Sequence, residues 1–176
     1  VKVCLSADLE GFYRMMQTTA QRDGFALHSA EYYRRAYDIF EPQGQAVLFE
    51  AVLDQKPLAY LMAFLQHERA WYFYGASDDE NRNLMPTYLL QWEAMRWAKA
   101  NGAKTYDLWG IPDEDEAVLE EQFTSRSDSL WGGYRFKRGF GGQVLRSAPA
   151  FIWVYKPLLY KAYQMMQTRR RSEANA

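Results

Sequence analysis

Residues Gly132–Gly142 read GGYRFKRGFGG. Glycines flank three cations, Arg135, Lys137 and Arg138, and three aromatics, Tyr134, Phe136 and Phe140. Three chemistries fit that pattern. Bare backbone N–H groups can cradle phosphate. Cations beside planar rings can hold a nucleic acid. A helix can also end here, with cations against its dipole and a glycine stop. Asp107, in TYDLWGI, is the best-placed single carboxylate. It falls near a strand end, where it can face a cleft or cap a turn. The dense carboxylates of Asp113–Glu116 read as a solvated loop. His28 and His67 have no Cys or His at ligand spacing, so neither a zinc site nor a Ser-His-Asp arrangement is expected. Cys4, inside the apolar run VKVCL, is expected to be a buried small hydrophobe and not a nucleophile.

Bulk properties narrow the classes further. A chain of 176 residues is long enough for one sizeable core. A formal net charge of −1 excludes a whole-molecule basic field for nucleic acid, so an anionic partner must meet a local patch. A single cysteine excludes an internal disulfide framework. No apolar run approaches the roughly 20 residues that span a bilayer, and no secretory signal is visible. A cytoplasmic protein is the expectation. The chain opens on Val1 in a strand pattern with no Met, which suggests a piece of something longer.

The elements that must position these residues follow from periodicity. VKVCL reads as a short strand. Leu9, Phe12, Tyr13, Met16 and Ala20 recur at helical spacing up to Gly24. A second helix follows Ser29 as its N-cap, with Tyr33, Ala36, Tyr37 and Phe40 as its stripe. The segments QAVLFEAVL, LAYLMAFLQ and AWYFYGA form an antiparallel meander whose near-continuous apolar runs predict burial on both faces. Pro86 starts a helix that Gly102 ends, with Leu90, Ala94, Trp97 and Ala98 on one face. AKTYDLWGI is a strand, PDEDEAVLEEQF a loop with a short helix, and QVLRSAPAFIWVYKP a long strand interrupted at Pro149. A last helix has Pro157 in its first turn.

This order resembles the N-acetyltransferase-like (GNAT) fold: α/β, with a mixed, largely antiparallel sheet and packed helices in one domain over residues 1–176. Enzymes of that fold hold acyl-CoA pyrophosphate on a Gly-rich loop after the central strand. Here that place reads GASDDENRNLMP, which is acidic and lacks glycine after Gly75. A match to the loop motif, Gln21–Ala26, lies between two helices instead.

Taken together, RDGF, SAEYYRRAYDIF, YGAS, WEAMRWAKANGAKTYDLWGI and FKRGFGG resemble the second half of FemABX-family proteins from about Asp8 to about Tyr155. WAKANGAKTYDLWGI with FKRGFGG is the specific pair. The family builds peptidoglycan interpeptide bridges with aminoacyl-tRNA as donor. The resemblance therefore implies an aminoacyl-tRNA-dependent N-acyltransferase without a cofactor or metal. The acceptor would be UDP-MurNAc-pentapeptide or its lipid-linked form. It further implies a missing N-terminal GNAT-like domain and a place at the inner face of the membrane. Carried over, Lys137 is the catalytic residue, and Phe136 its partner at the donor's acceptor end. Arg138, Arg22, Arg34, Tyr33, Tyr88, Asp107, Trp109 and Gly110 are the remaining candidates for substrate contact. The long heptad insertion of some members is absent. Two other readings stay open: an acyl-CoA-dependent N-acyltransferase, and a non-catalytic domain that binds nucleic acid or a partner through FKRGF and Arg169–Arg171.

Overall fold

A computed structural model describes residues 1–128, 130–148 and 151–174. The chain divides into two compact units, Val1–Gly142 and Gln143–Ala176. The first holds a five-stranded sheet in the order β1 (Lys2–Leu5), β2 (Ala46–Leu53), β3 (Lys56–Gln66), β4 (Arg69–Ser77), β5 (Thr105–Asp107). Neighbours are antiparallel except β4 and β5, which run parallel. Helices α1 (Leu9–Asp23), α2 (Ala30–Phe40), α3 (Pro86–Ala100), α4 (Glu116–Gln122) and α5 (Trp131–Arg138) belong to the same unit.

Local chemistry explains most of these boundaries. Asp8 caps α1 by accepting from Gly11 N, and Gly24 closes it in the left-handed region at φ 70°. Ser29 accepts from Tyr32 N and caps α2. The β2–β3 turn places Asp54 and Gln55 at φ 49° and 66°, the paired positive angles a tight hairpin needs. Pro57, without an N–H, falls where the β2–β3 register shifts. β3 is buried along almost its whole length, as its unbroken apolar run predicts. Phe12, Leu48 and Met62 form the centre of the core under α1 and α2. Leu61, Ala63, Leu90 and Ala94 form a second cluster, with α3 on the opposite face. Mixed α/β architecture with a mostly antiparallel sheet is thus as the sequence indicates.

Two expectations are corrected. Cys4 is exposed. It lies on a four-residue edge strand where only Val3 is even half-buried, so apolar character did not translate into a covered face. Residues 143–148 and 151–156 contain no strand, against the long strand expected over QVLRSAPAFIWVYKP. Strand preference measures fit to a paired, half-buried sheet. Among the described residues of this second unit no neighbouring strand pairs with these stretches, and Phe151, Trp153 and Tyr155 are exposed. Pro149 lies outside the described residues. Helix α6 (Pro157–Ala174) follows, beginning at the proline as expected.

Candidate active site

Helix α5 explains why GGYRFKRGFGG has its composition. Gly132 and Gly133 lie inside the helix, not in a turn, and Arg135, Lys137 and Arg138 occupy its last turn. A positive φ of 71° falls only at Gly141 beyond it. Trp131 and Tyr134 are buried one turn apart and anchor the helix. Tyr134 Oη donates to Glu120 of α4 at 2.6 Å. The Arg138 guanidinium reaches the same carboxylate with three contacts of 2.6 to 2.8 Å and covers the Phe123 ring at 4.2 Å. Arg138, with help from Tyr134, holds the Glu120 carboxyl below its usual range. Arg138 is therefore the clamp between α5 and α4.

Docked this way, α5 turns Phe136 and Lys137 toward the sheet. Phe136 meets Tyr88 of α3 edge-on at 4.8 Å, and Phe140 stacks on Tyr88 at 5.4 Å. Lys137 Nζ donates to the backbone oxygens of Gly110 at 2.5 Å and Trp109 at 3.2 Å. It also lies 5.9 Å from the Tyr72 ring centre. Burial lowers the Lys137 ammonium to a pKa of about 8, while the Asp107 carboxylate nearby works in the opposite direction. An ammonium carries three donors. Two have acceptors here, and the third meets none among the described residues.

The turn that Lys137 grips is built for it. Asp107 ends β5 and accepts from Trp109 N at 2.8 Å, so it caps the turn. Its other oxygen lies 3.8 Å from Arg69. Trp109 sits at φ 59°, a strained angle for a non-glycine residue. A T-shaped contact of its indole with Phe73, ring centres 4.7 Å apart, helps to hold it there. Asp107, Trp109, Gly110, Phe136, Lys137 and Tyr88 thus gather at one place.

Beside them lies a cavity of about 200 Å³, walled by Phe136, Tyr72, Gly75, Thr87, Gln91 and Arg22 among others. It opens where β4 and β5 part: their pairing ends at Trp71↔Asp107, while β4 continues to Ser77. Gly75 lets Tyr72 lie flat across the strand, for a Cβ there would sit 2.2 Å from the Tyr72 hydroxyl. Gly75→Ala is expected to displace that ring and to lower stability by about 1–3 kcal/mol in chemical denaturation. An unchanged unfolding midpoint would show that the ring moves freely.

Arg22 borders the cavity, but its guanidinium is engaged. It pairs with Asp23 at 2.7 Å and Asp79 at 2.5 Å, and donates to Ser77 O at 3.2 Å. Asp23 first, then Asp79, raises its already high pKa. Lys56 pairs with Glu80 at 2.8 Å and Asp78 at 3.4 Å. The acidic loop therefore consumes the nearest cations. Arg34 and Tyr33 stand apart from this group. Arg34 is half-exposed, 3.8 Å from Glu10. Tyr33 is buried among Phe12, Tyr74 and His28. Tyr72, Gln91, Tyr106 and Glu120 take part here without any motif to mark them in the sequence. Gln91 did leave a signal: it lies at helical spacing from Thr87, Ala94 and Ala98 on the face that α3 buries.

The architecture defines a class. Aminoglycoside 6′-N-acetyltransferase AAC(6′)-Ig from Acinetobacter haemolyticus superposes with a TM-score of 0.59 at 12% identity, over 89% of this chain and all of that one. AAC(6′)-Iy, solved with a bisubstrate analogue, gives 0.60 at 9% identity over 87% and 97%. The fold is that of the GNAT acyltransferases. The crystal structure of FemX superposes better, with a TM-score of 0.68 at 20% identity over 80% of this chain and 50% of that one. The sequence model of the FemAB family matches residues 1–56 and 49–168, and the chain belongs to that family. Among its relatives is a lipid II:glycine glycyltransferase from Staphylococcus haemolyticus, 23% identical over 228 residues, covering 92% of this chain and 52% of the relative. One from Staphylococcus aureus (strain USA300) is 22% identical over 227 residues, covering 92% and 52%. The chain spans about half the length of these relatives. Among the described residues no helix is long and apolar enough to cross a membrane.

Proposed function

We propose that this chain is the second GNAT-like half of a transferase that moves an amino acid from aminoacyl-tRNA to an amine of a peptidoglycan precursor peptide. The observation that carries the choice of donor is the start of α3. In a GNAT fold bound acyl-CoA needs free backbone N–H groups there. Here Pro86 supplies none and Tyr88 N is bonded to Met85 O at 3.1 Å, which leaves Thr87 as the lone donor of the three without an acceptor among the described residues. Asp78, Asp79 and Glu80 precede it. A diphosphate meets carboxylates at that point, whereas an esterified nucleotide can approach from the α5 side.

On that side Phe136 and Phe140 offer planes for the terminal base, a contact of about 1–3 kcal/mol. The acceptor amine attacks the ester carbonyl, and the carbonyl oxygen takes the negative charge. The third N–H of Lys137, left without an acceptor among the described residues, is the donor available to such an oxyanion. The C–O bond to the ribose then breaks, an amide forms, and the amine's proton leaves with the ribose hydroxyl. A further GNAT-like half supplies part of the acceptor site, and a lipid-linked acceptor places the work at the inner face of the membrane. That the staphylococcal relatives are lipid II:glycine glycyltransferases supports the precursor acceptor.

A donor competition tests this reading. Labelled glycyl-tRNA and labelled acetyl-CoA are offered together with lipid II. Label in the peptide from glycyl-tRNA alone is the expected outcome. Label from acetyl-CoA instead overturns it, and steeply salt-dependent RNA binding without any product points to a non-catalytic role.

A further inference from the structure

Gln91 is 1% exposed on the buried face of α3. Its Oε1 accepts from Tyr106 Oη at 2.9 Å. Among the described residues the Tyr106 hydroxyl has no other hydrogen-bond partner, so its proton goes to Oε1 and Nε2 keeps two donors. Nε2 bonds to no described residue. Yet no buried side-chain nitrogen or oxygen among them is sealed off without a partner. Nε2 therefore opens into the cavity that Gln91 lines.

The other groups in that cavity sharpen its chemistry. Thr87 lies one turn earlier on the same helix face, and Tyr72 lines the cavity from β4 with its hydroxyl against Gly75. Burial pushes the Tyr72 phenol up to about 12, so it stays a donor at neutral pH. The charged lining residues, Arg22 and Asp23, neutralise each other. What remains is a set of neutral donors, which suits a neutral acceptor atom and disfavours a free carboxylate or ammonium. Phe136 and Tyr72 form a wall common to the cavity and to Lys137.

We propose that this cavity binds the carbonyl oxygen of an uncharged ester or amide group of a substrate, with Gln91 Nε2 as the donor. Tyr106 is the positioning residue, fixing which end of the amide faces the cavity. The assignment of that carbonyl to a reactant rests on the acyl-transfer reading above. It belongs to the aminoacyl ester of the donor or to the acceptor peptide, which share this chemistry.

The side-chain amide signals of Gln91 report on it directly in nitrogen-15 spectra, assigned by their loss in Gln91→Met. Titration with N-acetylglycine N-methylamide is expected to move them, and titration with acetate to leave them in place. Gln91→Met weakens binding of the diamide about tenfold, the ratio set by one hydrogen bond of about 1.4 kcal/mol. Tyr106→Phe gives a smaller loss, and it carries the test if Gln91→Met does not fold. In transfer assays Gln91→Met costs about tenfold in one of two ways. A rise in the KM for the acceptor with kcat little changed places the carbonyl on the peptide; a fall in kcat places it on the donor ester, whose carbonyl oxygen becomes the oxyanion. Unmoved Gln91 signals, or diamide binding unaltered by both variants, overturn the site. A responsive Gln91 in a protein that transfers nothing from aminoacyl-tRNA overturns the donor reading alone.

Discussion

Replacing Lys137 with Met lowers the single-turnover rate of transfer by about 10²–10³-fold, the usual cost of removing one donor from a developing oxyanion. Met is unbranched and close to Lys in volume, one atom shorter, so the loss reports chiefly the missing ammonium. Met also removes the bonds to Gly110 O and Trp109 O. Both residues are exposed, and water replaces those donors. Asp107 still caps the turn through Trp109 N, so the loop keeps its anchor. Stability should not fall at pH 7. Burial depresses the Lys137 ammonium, so the unfolded chain binds that proton more tightly than the folded one. The charged form thus opposes folding below a pH of about 8, and the opposition fades as pH rises from there toward the unfolded lysine value of 10.5. A melting temperature for Lys137→Met at pH 7 equal to or above the parent's is the expected result. A large drop would mean that Lys137 is chiefly a structural tie.

The same ionisation gives the second large effect. Oxyanion stabilisation needs the protonated lysine, whose pKa is about 8. Relative to a variant without it, the rate should fall about tenfold per pH unit above that point. The acceptor amine becomes a better nucleophile over the same range, which raises both rates equally. Only the ratio of parent to variant isolates Lys137. A general-base role predicts the opposite slope, with the ratio rising up to a pH of about 8.

Much of the scaffold was legible because local chemistry and burial agreed. Ser29, Gly24 and Pro86 mark helix ends by side-chain and backbone preferences that tertiary contacts did not override. The apolar run of β3, short and bounded by turn residues, reads as a strand covered on both faces, and it is one. Asp107 was legible as a strand-end residue that faces a cleft or caps a turn, and the bond from Trp109 N shows the cap. Other features depend on partners far along the chain. Arg22 meets Asp79 across 57 positions, and no spacing rule links them. Arg138 holds Glu120 across 18 positions, which makes it a clamp where sequence offered a substrate contact. Gln91 was the reverse case. A lone amide on an apolar stripe is visible in the sequence, but its meaning depends on Tyr106 taking one end and leaving the other free. The segment FIWVY failed as a strand for a physical reason: pattern alone supplies no hydrogen-bonding neighbour.

The most direct test compares single-turnover transfer from glycyl-tRNA to lipid II by the parent and by Lys137→Met at pH 7 and pH 9. A lysine with a pKa of about 8 keeps its proton in roughly one molecule in ten at pH 9. The rate ratio should therefore fall from about 10²–10³ at pH 7 to about one tenth of that value at pH 9. A ratio that is large at both pH values and does not change between them would contradict an ammonium at the oxyanion.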